Sequence, residues 1–270
     1  MEGLSDDTSL YILFRVPDQH NRRTKIASDT IPENERNVEE STQRNIVAID
    51  SRLQDILRGR GYALPSHAVL AATHPGVLAA YEAIYREMTY ERIALSSFEK
   101  NFVWLVTIGT LQIPLGGHHV SDFINDGGTP SQIQTAAALA AFVVGATVLD
   151  TVEASWSAVT PGLDLASGYA QSVIEIAQAA QPLPVGLLDM ALTVASASQR
   201  KWSRFALHLT RAKTLGVSDA ALAEALTVMI LPAGNPGFVQ ACTQWGKLIE
   251  DGAIESSAEL RHAFDVLRAH

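Results

Sequence analysis

HLTRAKTLGVSDAALAEAL, from His208 to Leu226, decides the architecture, because HVSDFINDGGTPSQIQTAA, from His119 to Ala137, reads in the same register 89 residues earlier. His119, Gly127, Thr129, Gly145 and Trp156 of the first copy fall on His208, Gly216, Ser218, Gly234 and Trp245 of the second. Apolar positions keep the same spacing, with Leu105 on Val194 and Ile133 on Leu222, and the match needs no gap. Self-similarity at a fixed period marks a structural unit that buries its apolar face only against a neighbour. Both copies put a histidine at the same place, which makes that residue type the first candidate for chemistry.

The punctuation around each histidine predicts helices. A helix over Gly117–Asn125 carries His118 and His119 and stops at Gly127 and Gly128, where a left-handed cap needs glycine. Thr129 and Pro130 read as N-cap and first position of an alanine-rich helix running to about Val144. Gly145 marks a bend, and a further helix carries Leu149, Val152 and Trp156. Upstream, Ser96 and Ser97 cap a segment whose run Phe102–Ile108 is apolar on nearly every side, as in a buried helix. In the second copy Ser218 and Asp219 cap the helix of Leu222, Leu226 and Met229. LPAGNP (231–236) breaks the chain before the helix of Trp245, and a terminal helix covers 255–270. Between the copies lie a linker at Thr160–Leu163 and a helix from Leu165 to about Ala180.

The N-terminal part differs. A helix over Asn45–Arg60 places Ile46, Ile49, Leu53, Ile56 and Leu57 on one face and ends at Gly61. Residues 1–45 are polar apart from Tyr11–Phe14, and read as a flexible arm or one that packs on a partner subunit. The domain reading is therefore an arm (1–45), N-terminal helices with the first copy (46–160), and the second copy with a terminal helix (161–270). With period-two alternation confined to Tyr11–Phe14, the fold class is all-α.

Composition narrows the function. The net charge of −9 argues against a nucleic-acid partner, which requires a basic footprint. The single cysteine, Cys242, excludes an intrachain disulfide or thiol-pair redox centre and fits a reducing compartment. MEGLSDD lacks the basic and apolar regions of a signal peptide, so a cytoplasmic location is expected. No uninterrupted run of eighteen apolar residues occurs, so neither a membrane-spanning helix nor a membrane partner is expected.

The order His, Gly eight residues on, Thr or Ser, then a helix ending in a glycine break resembles the carboxymuconolactone decarboxylase and alkylhydroperoxidase D superfamily. In the second copy Ala212, Gly216, Ser218 and Glu224 fill the places that follow the decarboxylase histidine, and PAGNP is similar to that family's Tyr-Ala-Gly-x-Pro. The resemblance covers about residues 70–250. It implies an all-α tandem of the family unit and a symmetric homo-oligomer, a trimer or dimer. The peroxidase branch places Glu, Cys, Cys and His in order; here those slots hold Asp189, Lys201, Arg204 and His208, and in the first copy Lys100, Gln112, Leu115 and His119. Thiol peroxidase chemistry is excluded, since no thiolate or resolving partner stands in either set.

The residues that remain suit acid–base chemistry on an anion. Lys201, Arg204 and His208 share one helix face at i, i+3 and i+7. Arginine binds carboxylates in bidentate fashion, and histidine exchanges a proton near neutral pH. His208 is thus the candidate acid/base, Arg204 and Lys201 the anion holders, Asp189 or Glu224 the residue orienting the imidazole, and His119 the counterpart in the first copy. His118, His119 and Asp122 lack a third well-spaced ligand for a metal, and no metal or cofactor is expected. Two functions stay open: a cofactor-independent lyase, decarboxylase or isomerase acting on a small anionic, lactone-like or enolisable metabolite, and a non-catalytic relative serving ligand binding or assembly.

Overall fold

The computed structural model describes residues 33–156, 159–160, 162–178 and 182–269, and all regular secondary structure among them is helical. The α-helices are α1 (Glu33–Arg60), α2 (Pro65–Thr73), α3 (Pro75–Thr89), α4 (Ser97–Thr110), α5 (Gly117–Asn125), α6 (Pro130–Gly145), α7 (Thr147–Trp156), α8 (Leu165–Gln178), α9 (Leu187–Ser198), α10 (Trp202–Thr214), α11 (Asp219–Thr227), α12 (Asn235–Glu250) and α13 (Ala258–Arg268). A 3-10 turn at Pro114–Gly116 precedes α5.

Helix α1 begins at Glu33, well before the expected start at Asn45. Its first turns carry Glu33, Glu35, Glu39 and Glu40, and carboxylates near a helix N-terminus are favoured by the macrodipole. Apolar periodicity could not find these turns, because residues 36–44, Val38 among them, are all exposed; Ile46, expected on the apolar face, is exposed as well. The Tyr11–Phe14 segment lies outside the described residues.

The described residues form two compact units that divide within α3, between Ile84 and Tyr85. The smaller has a modest core of Ile56, Ala71 and Leu78, with Ile49, Leu53 and Leu70 against it. In the larger unit α4 and α9 are the central pair and pack on one another. Each is buried along almost its whole length, Phe102 to Ile108 in α4 and Leu187 to Ala197 in α9, with Leu188 only half-buried. Around them, α5 and α6 pack on α4, while α10, α11 and α12 pack on α9.

Helices α3 to α7 and α8 to α12 follow in the same order. Turn bonds after the histidines recur at 89 residues: Gly127 N–H donates to Ile124 C=O and Gly216 to Lys213, Gly128 to Phe123 and Val217 to Ala212. Before the histidines the offset is 88, which corrects the ungapped alignment. Gln112 N–H donates to Gly109 C=O as Arg200 does to Ala197, and Ile113 donates to Ile108 as Lys201 does to Ser196. Gln112 and Arg200 both take φ 55°, the left-handed C-cap conformation that is uncommon outside glycine. The second half therefore gains one residue between Lys201 and His208.

The halves differ in how their last helices are covered. Trp245 of α12 is 4% exposed, whereas its sequence counterpart Trp156 of α7 is 57% exposed. Helix α13 lies against α12: a Cβ on Gly246 would stand 2.7 Å from the Phe264 ring, so this contact requires glycine. Pro130–Glu153, through α6 into α7, is long and apolar enough to cross a membrane by length and composition, with mean hydropathy 1.8 and a third of it buried. Counting uninterrupted apolar residues misses it, because Gln132, Gln134 and Thr135 interrupt the run. In this fold α6 packs on α4, α8 and α9.

Candidate functional site

The amphipathic helix α10 is the base of the site. Its apolar face, with Phe205, Leu209 and Ala212 fully buried, docks it onto α9. Arg204, His208 and Arg211 lie along one adjoining face, and the last turn carries Arg211 and Lys213, where cations complement the helix dipole. Asp189 projects from the first turn of α9 and meets this face.

His208 is 1% exposed and is held at both ring nitrogens. Nδ1 is 2.8 Å from Asp189 Oδ1, and Nε2 is 3.0 Å from the Tyr169 hydroxyl on α8. An ionised carboxylate only accepts, so Nδ1 carries the proton and Nε2 accepts from the Tyr169 O–H. Arg211 Nε–H also donates to Asp189 Oδ1, at 3.0 Å. Burial pushes the His208 imidazole below its ordinary pKa; the Asp189 hydrogen bond opposes this, and Arg211 and Arg204 add to it. Burial likewise raises the Tyr169 phenol to about 12, against the pull of Arg204.

Arg204 joins this chain to a carboxylate from the other half. Its guanidinium lies 5.1 Å from the Tyr169 ring centroid, a cation–π distance. Nη2 donates to Asp150 Oδ1 and to the Ala146 carbonyl, each at 2.6 Å, and Nη1 reaches Asp150 Oδ2 at 3.4 Å. Lys201 Nζ donates to the same Oδ2 at 3.0 Å. The two cations named as anion holders thus close on Asp150, in the first turn of α7.

The other expected residues lie elsewhere. His119 stacks on Trp104, with centroids 4.3 Å apart, and its Nδ1 is 3.4 Å from Asn101 Oδ1, a weak hydrogen bond. Burial, helped by the neighbouring His118, drives its pKa down to about 2. With the one-residue slip, Asn101 takes the place of Asp189, and its Nδ2 donates to Asp126 instead. The tyrosine contact passes to His118, whose Nε2 is 3.0 Å from the Tyr85 hydroxyl. Glu224 is engaged by Lys100 at 2.5 Å and accepts from the backbone N–H groups of Ala94 and Leu95 at 2.6 and 3.0 Å. Burial would raise its pKa, but Lys100 and these amides win and hold it below the usual carboxylate range. Its recorded partners tie the two halves together and do not include His208.

Sequence reasoning missed Tyr169, Asp150, Arg211 and Asn101. Arg211 was within reach, one turn after His208 on the same face. Tyr169 and Asp150 belong to helices with no marked spacing to α10, and only the fold brings them in. Among the described residues no three His, Cys, Asp or Glu side chains converge as a metal-ligand set. Two hollows, about 510 and 380 Å³, are lined by α1 residues between Val38 and Val47 and include none of the site residues. No family model, curated protein or solved structure matches the chain.

Proposed function

We propose that the protein is a tandem, cysteine-pair-lacking relative of the carboxymuconolactone decarboxylase-like superfamily, and a cofactor-independent lyase or isomerase of a small carboxylated, lactone-like or enolisable metabolite. The observation that carries this reading is the buried chain Asp189–His208–Tyr169 with a guanidinium over the tyrosine ring. A carboxylate, imidazole and phenol in line move a proton without a cofactor. When the phenolic oxygen takes a proton from a carbon next to a carbonyl, its own proton passes to His208 Nε2, and Asp189 stabilises the imidazolium. In the reverse sense the relay protonates the carbon left when a C–CO₂ bond breaks and its electron pair enters the conjugated carbonyl. Arg204 and Lys201 hold the anionic group. His208 rather than His119 is assigned, because it has a carboxylate and a phenol at its two ring nitrogens, whereas His119 has a tryptophan on its face and an asparagine oxygen at 3.4 Å.

One observation favours the non-catalytic alternative: His208 is 1% exposed. The test is proton exchange. Wild-type protein in D₂O with a panel of carboxylated butenolides and β-keto acids should incorporate deuterium at the activated carbon or release CO₂, and His208→Ala should not. Silence of the wild type across the panel removes the enzyme reading.

A further inference from the structure

We propose that Asp150 is an internal stand-in for the substrate carboxylate, and that α7 is the lid that carries it; the inference rests on reading Asp189–His208–Tyr169 as the proton relay. Three features combine. The Asp150 carboxylate sits on Arg204 and Lys201, Oδ1 at 2.6 Å from Arg204 Nη2 and Oδ2 shared between Lys201 at 3.0 Å and Arg204 Nη1 at 3.4 Å, the arrangement an incoming carboxylate would adopt. This seat adjoins the relay, because the same guanidinium lies over the Tyr169 ring whose hydroxyl meets His208. The clamp is also not required by the helix order. The residue 89 positions after Asp150 is Val239, which is exposed on α12 and makes no such contact.

Helix α7 is built to move more easily than its counterpart. None of its described residues is buried, whereas α12 buries Gly237, Ala241, Trp245 and Gly246. Asp150, Arg211 and Lys201 are the most exposed members of the site, with side chains 39%, 35% and 30% exposed, whereas His208 and Tyr169 are buried. A ligand reaching the relay must move a covering element; α7 is held by the Asp150 ion pair together with Leu149, which packs against the core. A small mono- or dicarboxylate that takes the seat from Asp150 both releases α7 and places its own carbons beside Tyr169.

The probe is succinate, with chloride at equal ionic strength as control. A tethered carboxylate competes at an effective concentration in the millimolar range, so its removal should be visible as affinity. Asp150→Asn should bind succinate at least tenfold more tightly than wild type by calorimetry, and Asp150→Asn/Arg204→Gln should lose the gain. In the wild type, succinate should speed amide hydrogen exchange across 147–156 and leave α9 and α10 unchanged; this second readout needs no substitution. The proposal is overturned if Asp150→Asn binds no better than wild type, if the gain survives Arg204→Gln, or if exchange in α7 stays the same or slows. Succinate binding should persist in Asp150→Asn/His208→Ala, since the seat does not include His208. A protein that passes these tests but never exchanges a substrate proton keeps the seat and loses the relay.

Discussion

His119 and His208 occupy the same place in the two halves and are both sealed from solvent, yet their surroundings differ in kind. His208 has an acid on one nitrogen, a phenol on the other and two arginines nearby; His119 has a tryptophan on its face and an asparagine oxygen at 3.4 Å. The difference arises from three small changes. Asp189 is replaced by Asn101, the tyrosine contact shifts to His118, and Arg204 has no charged counterpart. Burial lowers the pKa of both histidines; at His208 the Asp189 hydrogen bond opposes that shift, and at His119 no carboxylate does.

The largest effect expected of this contrast is in turnover. His208→Ala should lower the rate of a responsive substrate by about 10²–10⁴-fold, as removal of a positioned acid/base does, while His119→Ala should change it by a few fold or less. A larger loss in His119→Ala would invert the comparison.

The contacts by which each half holds the other give a second contrast. Glu224 of α11 clamps Lys100 and the segment entering α4, while Gln132 of α6 reaches the Pro182 carbonyl in the segment entering α9. Glu224→Ala strands a buried ammonium and should cost about 3–5 kcal/mol in urea unfolding. Gln132→Ala removes a neutral hydrogen bond and should cost about 1 kcal/mol. Equal losses would show that Lys100 finds another partner.

Acid should weaken both sites in the same direction. His119 is neutral in the folded protein down to about pH 2 but takes a proton near 6.5 when unfolded. The unfolded state therefore binds more protons between these values, and stability falls as pH drops from 6.5 toward 2. His119→Asn should flatten that fall in denaturation curves collected at pH 7, 5.5 and 4. A slope identical to wild type would remove the attribution to His119.

Two glycines test how the outer helices are covered. Gly246→Ala pushes a methyl group into Phe264 and should destabilise by about 1–3 kcal/mol. Gly145→Ala meets nothing within 4 Å and should stabilise by about 0.5–1 kcal/mol. Thermal unfolding reads both, and a loss at Gly145 would mean that α6 and α7 require its flexibility.

Much of the helical order was legible because the caps are local. The Ser96, Thr129 and Ser218 side chains accept from the N–H groups of Glu99, Gln132 and Ala221, three residues on in each case. The Gly117–Asn125 helix runs over the expected residues, with the glycine stop at Gly127 and Gly128 just beyond its end. The start of α1 was not legible, because a solvated helix leaves no apolar period. The face bearing Lys201, Arg204 and His208 was legible from spacing, but the partner of its cations was not.

The sequence by itself determined that the chain is helical, where most helices begin and end, which residue types recur, and that a thiol pair is absent; these follow from neighbours a few residues apart and from composition. The tertiary structure decided what each histidine faces. Asp150 and Tyr169 reach the site across 54 residues to Arg204 and 39 to His208, and Lys100 finds Glu224 across the unit, not beside it in the chain. Such pairings depend on how buried faces of distant helices interlock, and one added residue before His208 changes which side chain they meet. Helical periodicity encodes a face; only packing supplies what lies opposite it.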